Sequence, residues 1–149
     1  MIAEYDRLLA EFKTEFPRAT VLDHGIFKGF STTIPLPFGR HRVYMSQRNP
    51  ATLRHERVHC RQARAMTAGI FWLLYLLLAI PVLFSARAIL EAQGYGESVR
   101  ARVQYGEIVT DETLHRYAAF CSYSPSYVFA APWAYWWVRW YLGRVRDRK

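Results

Sequence analysis

Residues His55, Glu56, Arg57, Val58 and His59 spell HExxH, a stretch whose residue types and spacing suit metal chemistry. On an α-helix, side chains at i and i+4 share a face, so both imidazoles can reach one metal ion. Glu56 lies beside them, placed to accept a proton from a water on that metal, and zinc is the ion expected. A five-residue pattern with three fixed positions also arises by chance, so the segment must be helical on independent grounds.

Those grounds lie on either side of the motif. Asn49 can cap free backbone N–H groups and Pro50 tolerates the first helical position. The pattern predicts a helix over residues 53–66, with Gly69 as its terminator. With His55 at zero on a helical wheel, His59 falls at about 40°, Met66 at about 20° and Ala63 at about 80°. Arg54, Arg57, Arg61 and Arg64 cluster between roughly 180° and 260°. The metal face is therefore expected inside and the arginines outside, as a solvated face rather than a dedicated anion-binding stripe. Cys60 directly follows His59, but adjacent helical residues point about 100° apart, so it reads as a packed thiol.

A tetrahedral catalytic zinc needs a third protein ligand and one open position for water. Downstream of the motif the choices are Glu91, Glu97, Glu107, Asp111, Glu112 and His115. Glu91 is the best placed, on a predicted helix with Tyr95 one turn later on its face. Glu97 points roughly 120° away from Glu91, so one helix can hardly offer both to one metal. Choosing Glu91 constrains the apolar run AGIFWLLYLLLAIPVLF, residues 68–84. A straight helix from His59 to Ile80 would travel about 31 Å. The seven steps from Phe84 to Glu91 recover at most ~25 Å extended, and ~10 Å if helical. The chain is thus expected to bend near Gly69 and Pro81. The run is also a borderline membrane span, since a span needs about 20 apolar residues and tolerates roughly 17. A buried hairpin or a membrane-dipping segment are the other readings.

The remaining elements frame this centre. Residues 3–16 read as a short amphipathic helix with Tyr5, Leu8, Leu9, Phe12 and Phe16 on one side. Residues 20–34 read as short strands with turns, IPLPFGR (34–40) as a loop and residues 41–46 as another strand. Helical spacing resumes over 85–104, a short helix is predicted at 111–117, and 122–126 is a loop. The final stretch, 132–146, is aromatic and then basic. No internal repeat is evident. The expected fold is α+β and mostly helical. A small N-terminal β element precedes an HExxH helix, an apolar connecting segment, a glutamate helix and a C-terminal aromatic helix.

The chain has 149 residues, enough for one compact domain with a real core. Its 20 Lys+Arg against 12 Asp+Glu give a net charge of +8, which favours acidic partners such as nucleic acid, an anionic membrane face or an acidic protein surface. A merely soluble basic surface is the blander reading. Two cysteines, Cys60 and Cys121, exclude a disulfide framework and favour a reducing compartment. The N-terminus carries acids and lacks a continuous apolar stretch, so no secretory signal is visible. These features together predict a cytoplasmic or peripherally membrane-associated chain.

The segments RHERVHCRQ (54–62) and RAILEAQGY (87–95) resemble the gluzincin clan of zinc metallopeptidases, in which HExxH and a downstream glutamate bind zinc. The match covers about residues 41–103, and the compact size resembles the minigluzincins. The resemblance implies a single zincin-like domain with His55, His59 and Glu91 binding Zn2+. Glu56 would be general base and then proton shuttle, acting on a peptide or protein substrate. It also implies that the strand at 41–46 is the edge strand along which an extended peptide aligns. The chain departs from the pattern in two places. Many gluzincins carry an Asp four residues after the ligand Glu, where this chain has Tyr95. No downstream oxyanion-stabilising residue stands out, and His115 and Tyr117 are the choices, each as readily a packed side chain.

Trp133, Trp136, Trp137 and Trp140 form an i, i+3, i+4, i+7 stripe, followed by Arg144, Arg146, Arg148 and Lys149. Packing of the stripe over the domain is the first expectation. A membrane-interface anchor is the functional one, and nucleic acid stays open as a partner without a recognised module. Two functions follow: a zinc-dependent peptidase, or a non-catalytic zinc-containing interaction protein on a membrane or within a larger assembly.

Overall fold

The computed structural model describes residues 2–25, 31–76, 81–123 and 132–148, with the side chains of 2, 75–76, 81–86, 122–123 and 132–133 left aside. The fold is mostly helical α+β, with one three-stranded sheet and five α-helices among the described residues. Contacts group the chain into two compact units, Met1–Trp72 and Leu73–Lys149.

In the first unit, α1 (Ile2–Glu15) turns Tyr5, Leu8, Phe12 and then Phe16 into a core shared with Val43, Met45, Leu53 and Cys60. This is the side expected from the helical spacing, with Leu9 only partly buried. Strands β1 (Ala19–Leu22), β2 (Thr32–Leu36) and β3 (Arg40–Tyr44) form a sheet of order β1-β3-β2. β1 runs parallel to β3 and β2 antiparallel to it. The strand expected at the sheet's edge, β3, is therefore its centre. An extended peptide cannot pair with it, because both of its sides are taken.

The segment expected to be a loop, residues 34–40, is instead most of a β-hairpin. Pro35 sits in β2 opposite His41, tolerated because β2 is an edge strand whose outward N–H has no ladder bond to make. Phe38 (φ 61°, ψ 32°) and Gly39 (φ 68°) turn the chain, and the Arg40 N–H donates to the Pro37 carbonyl. Leu36 pairs with Arg40, so the three residues Pro37, Phe38 and Gly39 close the hairpin, and two successive positive φ angles suit the right-handed twist of its strands.

Helix α2 (Pro50–Leu76) starts where the sequence indicates. The Asn49 Oδ1 accepts from the Ala51 N–H at 2.8 Å and more weakly from that of Thr52. The break falls at Thr67 (φ 66°, ψ 153°), not at Gly69, and helical structure resumes beyond it. The turn is sharp enough to lay the Phe71 ring edge-on against His59, with centroids 6.3 Å apart. It also lets the Trp72 indole N–H donate to the Pro35 carbonyl at 2.9 Å. The arginines on the far side of α2 are neither simply solvated nor an anion stripe. Arg57, Arg61 and Arg64 converge on Glu15 at the end of α1.

In the second unit, α3 (Pro81–Gln104), α4 (Asp111–Tyr123) and α5 (Pro132–Asp147) pack around Ala92, Val99, Leu114, Ala118, Cys121, Val138 and Leu142. α3 ends with Gly106 at φ 76°, its N–H on the Val103 carbonyl and that of Glu107 on Arg102. This is a Schellman ending, which uses glycine's access to the left-handed region. α4 is longer than expected, running through Ser122 into the segment read as a loop, and 124–126 lie outside the described residues. No helix among the described residues is long and apolar enough to cross a membrane. Residues 77–80 of the apolar run lie outside them.

The tryptophan stripe does not pack as expected. α5 buries Ala134, Val138, Leu142 and Val145, while Trp136 and Trp140 are 68% and 59% exposed. Trp137 is partly buried and stacks on Tyr141, and the Trp133 side chain lies outside the described residues.

Candidate metal centre

The spacing of His55 and His59 does what a helix makes it do. The two imidazoles lie on one face of α2 with their Nε2 atoms 3.0 Å apart. Two nitrogens bound at about 2.0–2.1 Å to one tetrahedral zinc would stand about 3.3 Å apart, so the pair is close to ligand geometry. His59 Nδ1 donates to the Gln62 Oε1 at 2.8 Å, which leaves its lone pair on Nε2, the form a metal binds. His55, His59 and Gln62 are all buried.

Glu91 of α3 completes the donors. The ligand atoms of His55, His59 and Glu91 all lie within 4.8 Å of one another, and all three residues are buried. Two imidazole nitrogens and one carboxylate form a donor set that suits zinc and keeps a coordination position for water. Buried carboxylates and imidazoles are costly without compensation, and a shared cation is one way to provide it. The structure thus contains a buried His-His-Glu group able to hold a metal ion.

Glu56 is 3% exposed and stands outside this ligand group. Its Oε2 accepts a hydrogen bond from the Thr33 hydroxyl on β2 at 2.7 Å. Thr33 points at α2 because β2 alternates, burying Thr33 and Pro35 on one face. Cys60, one turn after Glu56, is fully buried, and burial pushes its thiol up to about 12. It is a packed thiol and no thiolate ligand. Cys121 is likewise raised by burial and then by the Glu91 carboxylate.

The other residues singled out from the sequence go elsewhere. Tyr95 lies with its ring stacked on Tyr117 at 4.4 Å and tilted against Phe120, in the core of the second unit. His115 is exposed on α4, and its Nδ1 pairs with the Tyr135 hydroxyl at 2.6 Å. Glu97 pairs with Arg100, Glu107 with Arg102 and Asp111 with Arg146. Among the described residues none of these, nor Glu112, joins the His-His-Glu group.

Two contributors escaped the sequence reading. Gln62 had a signal, since it lies three residues after His59 and shares its helix face. Thr33 had none, because only the hairpin brings it to Glu56. His41 is a third buried imidazole, on β3. It packs edge-on against Phe16, and burial and then Arg64 lower its pKa. It belongs to the core of the first unit, outside the ligand group. No protein-family model, no curated protein and no solved structure matches this chain.

Proposed function

We propose that this chain is a zinc-dependent metallopeptidase of the gluzincin type. The observation that carries the reading is the convergence of the His55 and His59 Nε2 atoms with the Glu91 carboxylate. Zinc bound by these three side chains supplies Lewis-acid polarisation of a scissile carbonyl and a lowered pKa for water. Glu56 takes the proton from the attacking water and returns it to the leaving amine. Thr33 engages one of its oxygens, fixing the carboxylate while the other remains for the proton. Gln62 holds the His59 ring in its ligand orientation.

Substrate alignment falls to β2, the edge of the sheet next to α2. Pro35 has no N–H and its carbonyl is occupied by Trp72, so main-chain pairing is confined to the Thr33 end of the strand. This favours a peptide held by few backbone bonds close to the reacting centre.

The experiment is zinc content of the purified chain, wild type beside His59→Ala and Glu91→Ala, followed by a peptide-library cleavage assay with Glu56→Gln as control. The expected result is one zinc per chain, lost in both ligand variants, with cleavage abolished and zinc kept in Glu56→Gln. Absence of metal from wild type prepared with excess zinc would overturn the reading. A second reading is a non-catalytic interaction protein whose zinc is structural. It draws on burial, since His55, Glu56, His59 and Glu91 are each at most 9% exposed. Zinc with no cleavage of any peptide would select it.

A further inference from the structure

The surface of α5 is built the wrong way round for a solvated helix. With Trp136 at zero on the wheel, Asp147 lies at about 20°, Trp140 at about 40°, Arg139 at about −60° and Arg144 at about 80°. The buried residues Ala134, Val138, Leu142 and Val145 fall between roughly 160° and 240°. The meridian most remote from the core thus carries two exposed tryptophans, with a charge on it only at the helix's last residue, Asp147, which Arg146 pairs, and Arg139 and Arg144 flank it. A helix that meets only water places charge on that outermost line.

We propose that α5 docks on an anionic phospholipid membrane, its tryptophans entering the headgroup region and its arginines pairing with lipid phosphates. Three observations favour lipid. The apolar groups on the crest are tryptophans, whose amphipathic rings sit at the membrane–water boundary. Arg139 donates to the Asp111 backbone carbonyl and Arg144 lies over the Trp140 ring at 5.6 Å. Neither forms a salt bridge among the described residues, so Arg144 is left for phosphate, while Arg139 also lies in the field of the Asp111 carboxylate that Arg146 pairs. Arg146, by contrast, is committed to Asp111 and Asp147. Finally, Trp136, Arg139, Trp140 and Arg144 border an open groove of about 370 Å³, roomy enough for a headgroup, whose two carboxylates, Asp111 and Asp147, are both engaged by Arg146. Nucleic acid fits less well, because Arg144 covers a face of Trp140 on which a base would stack.

The test is co-sedimentation of the full chain with vesicles of phosphatidylcholine alone or with about one-third phosphatidylserine, at low and high ionic strength. The wild type should bind the anionic vesicles and be released by salt. Arg139→Gln with Arg144→Gln should lower partitioning roughly 25-fold, about fivefold per arginine. The matching Lys double should retain most of the binding. Trp136→Ser with Trp140→Ser should lower it about tenfold or more. Circular dichroism establishes that each variant keeps its helices. No binding to anionic vesicles, equal binding to neutral ones, or binding unchanged in both doubles would overturn the proposal. Recovery on an immobilised acidic polypeptide but not on vesicles would overturn it in favour of a protein partner. Zinc content is the same in all these variants under the proposal, so this outcome and that of the peptidase reading are read separately.

Discussion

His59 owes its ligand form to Gln62. The amide oxygen accepts a hydrogen bond from the Nδ1–H at 2.8 Å and leaves Nε2 aimed at His55. Removing such an outer partner typically weakens a metal site 10- to 100-fold, so Gln62→Ala should lose roughly that factor in zinc affinity, measured by competition with a chromophoric chelator. An unchanged affinity would mean that packing alone orients the ring. Thr33 performs the corresponding service for Glu56. Thr33→Val is nearly isosteric but leaves a buried carboxylate oxygen without its donor. The change should cost about 1–3 kcal/mol in a urea titration. The backbone of β2 would be expected to keep its place. Gln62 was legible in the sequence by its spacing from His59, whereas Thr33 is separated from Glu56 by 23 residues and reaches it through strand pairing alone.

Helix α2 concentrates strain at one point. Thr67 adopts φ 66° and ψ 153°, a region that β-branched residues avoid and glycine enters freely. Thr67→Gly should therefore raise stability by about 1–3 kcal/mol, seen as a higher denaturation midpoint at unchanged slope. A loss would show that the Thr67 side chain itself holds the bend. Before that break, Arg57 and Arg61 tie α2 to Glu15 of α1. The hydrogen bond from Arg61 leads, followed among the favourable causes by that from Arg57, in lowering the Glu15 pKa from 4.5. A carboxylate whose folded pKa is depressed contributes stability above its unfolded pKa and loses it as pH falls through the folded one. Glu15→Gln should thus cost about 1 kcal/mol at neutral pH and flatten the stability profile below pH 4.5. Equal acid sensitivity in variant and wild type would place the titrating group elsewhere.

For the molecule as a whole, a metal ion bound by residues 36 positions apart in the chain, His55 and Glu91, would link ligand binding to folding. If zinc binds only the folded chain, free zinc at about 100 times Kd adds about 2.7 kcal/mol. For a chain of this size that is a rise of roughly 5–10 °C in Tm. Scanning calorimetry with zinc and then with chelator should show the rise and its reversal, and His59→Ala should show neither. A Tm indifferent to zinc in the wild type would argue that the His-His-Glu group holds no metal.

Local chemistry made part of this protein readable from its residues alone. The Asn49–Pro50 start, the shared face of His55 and His59, the amphipathic α1 and the inert Cys60 all follow from interactions spanning a few residues, which the order of side chains dictates. Distance arithmetic added one non-local demand, a bend after the motif if Glu91 was to join it. Tertiary structure decided the rest. It put the bend at Thr67 rather than at the glycine two residues on, because packing of Phe71 and Trp72 can hold a strained backbone that propensity would reject. It made β3 the centre of the sheet, since strand order depends on pairing between distant segments. It sent Tyr95 and His115 to aromatic and hydroxyl partners, and it left Trp136 and Trp140 outside, because the core of the second unit is filled by Val138 and Leu142. Helical periodicity marks which residues share a face, but only the packed neighbours determine which face is covered.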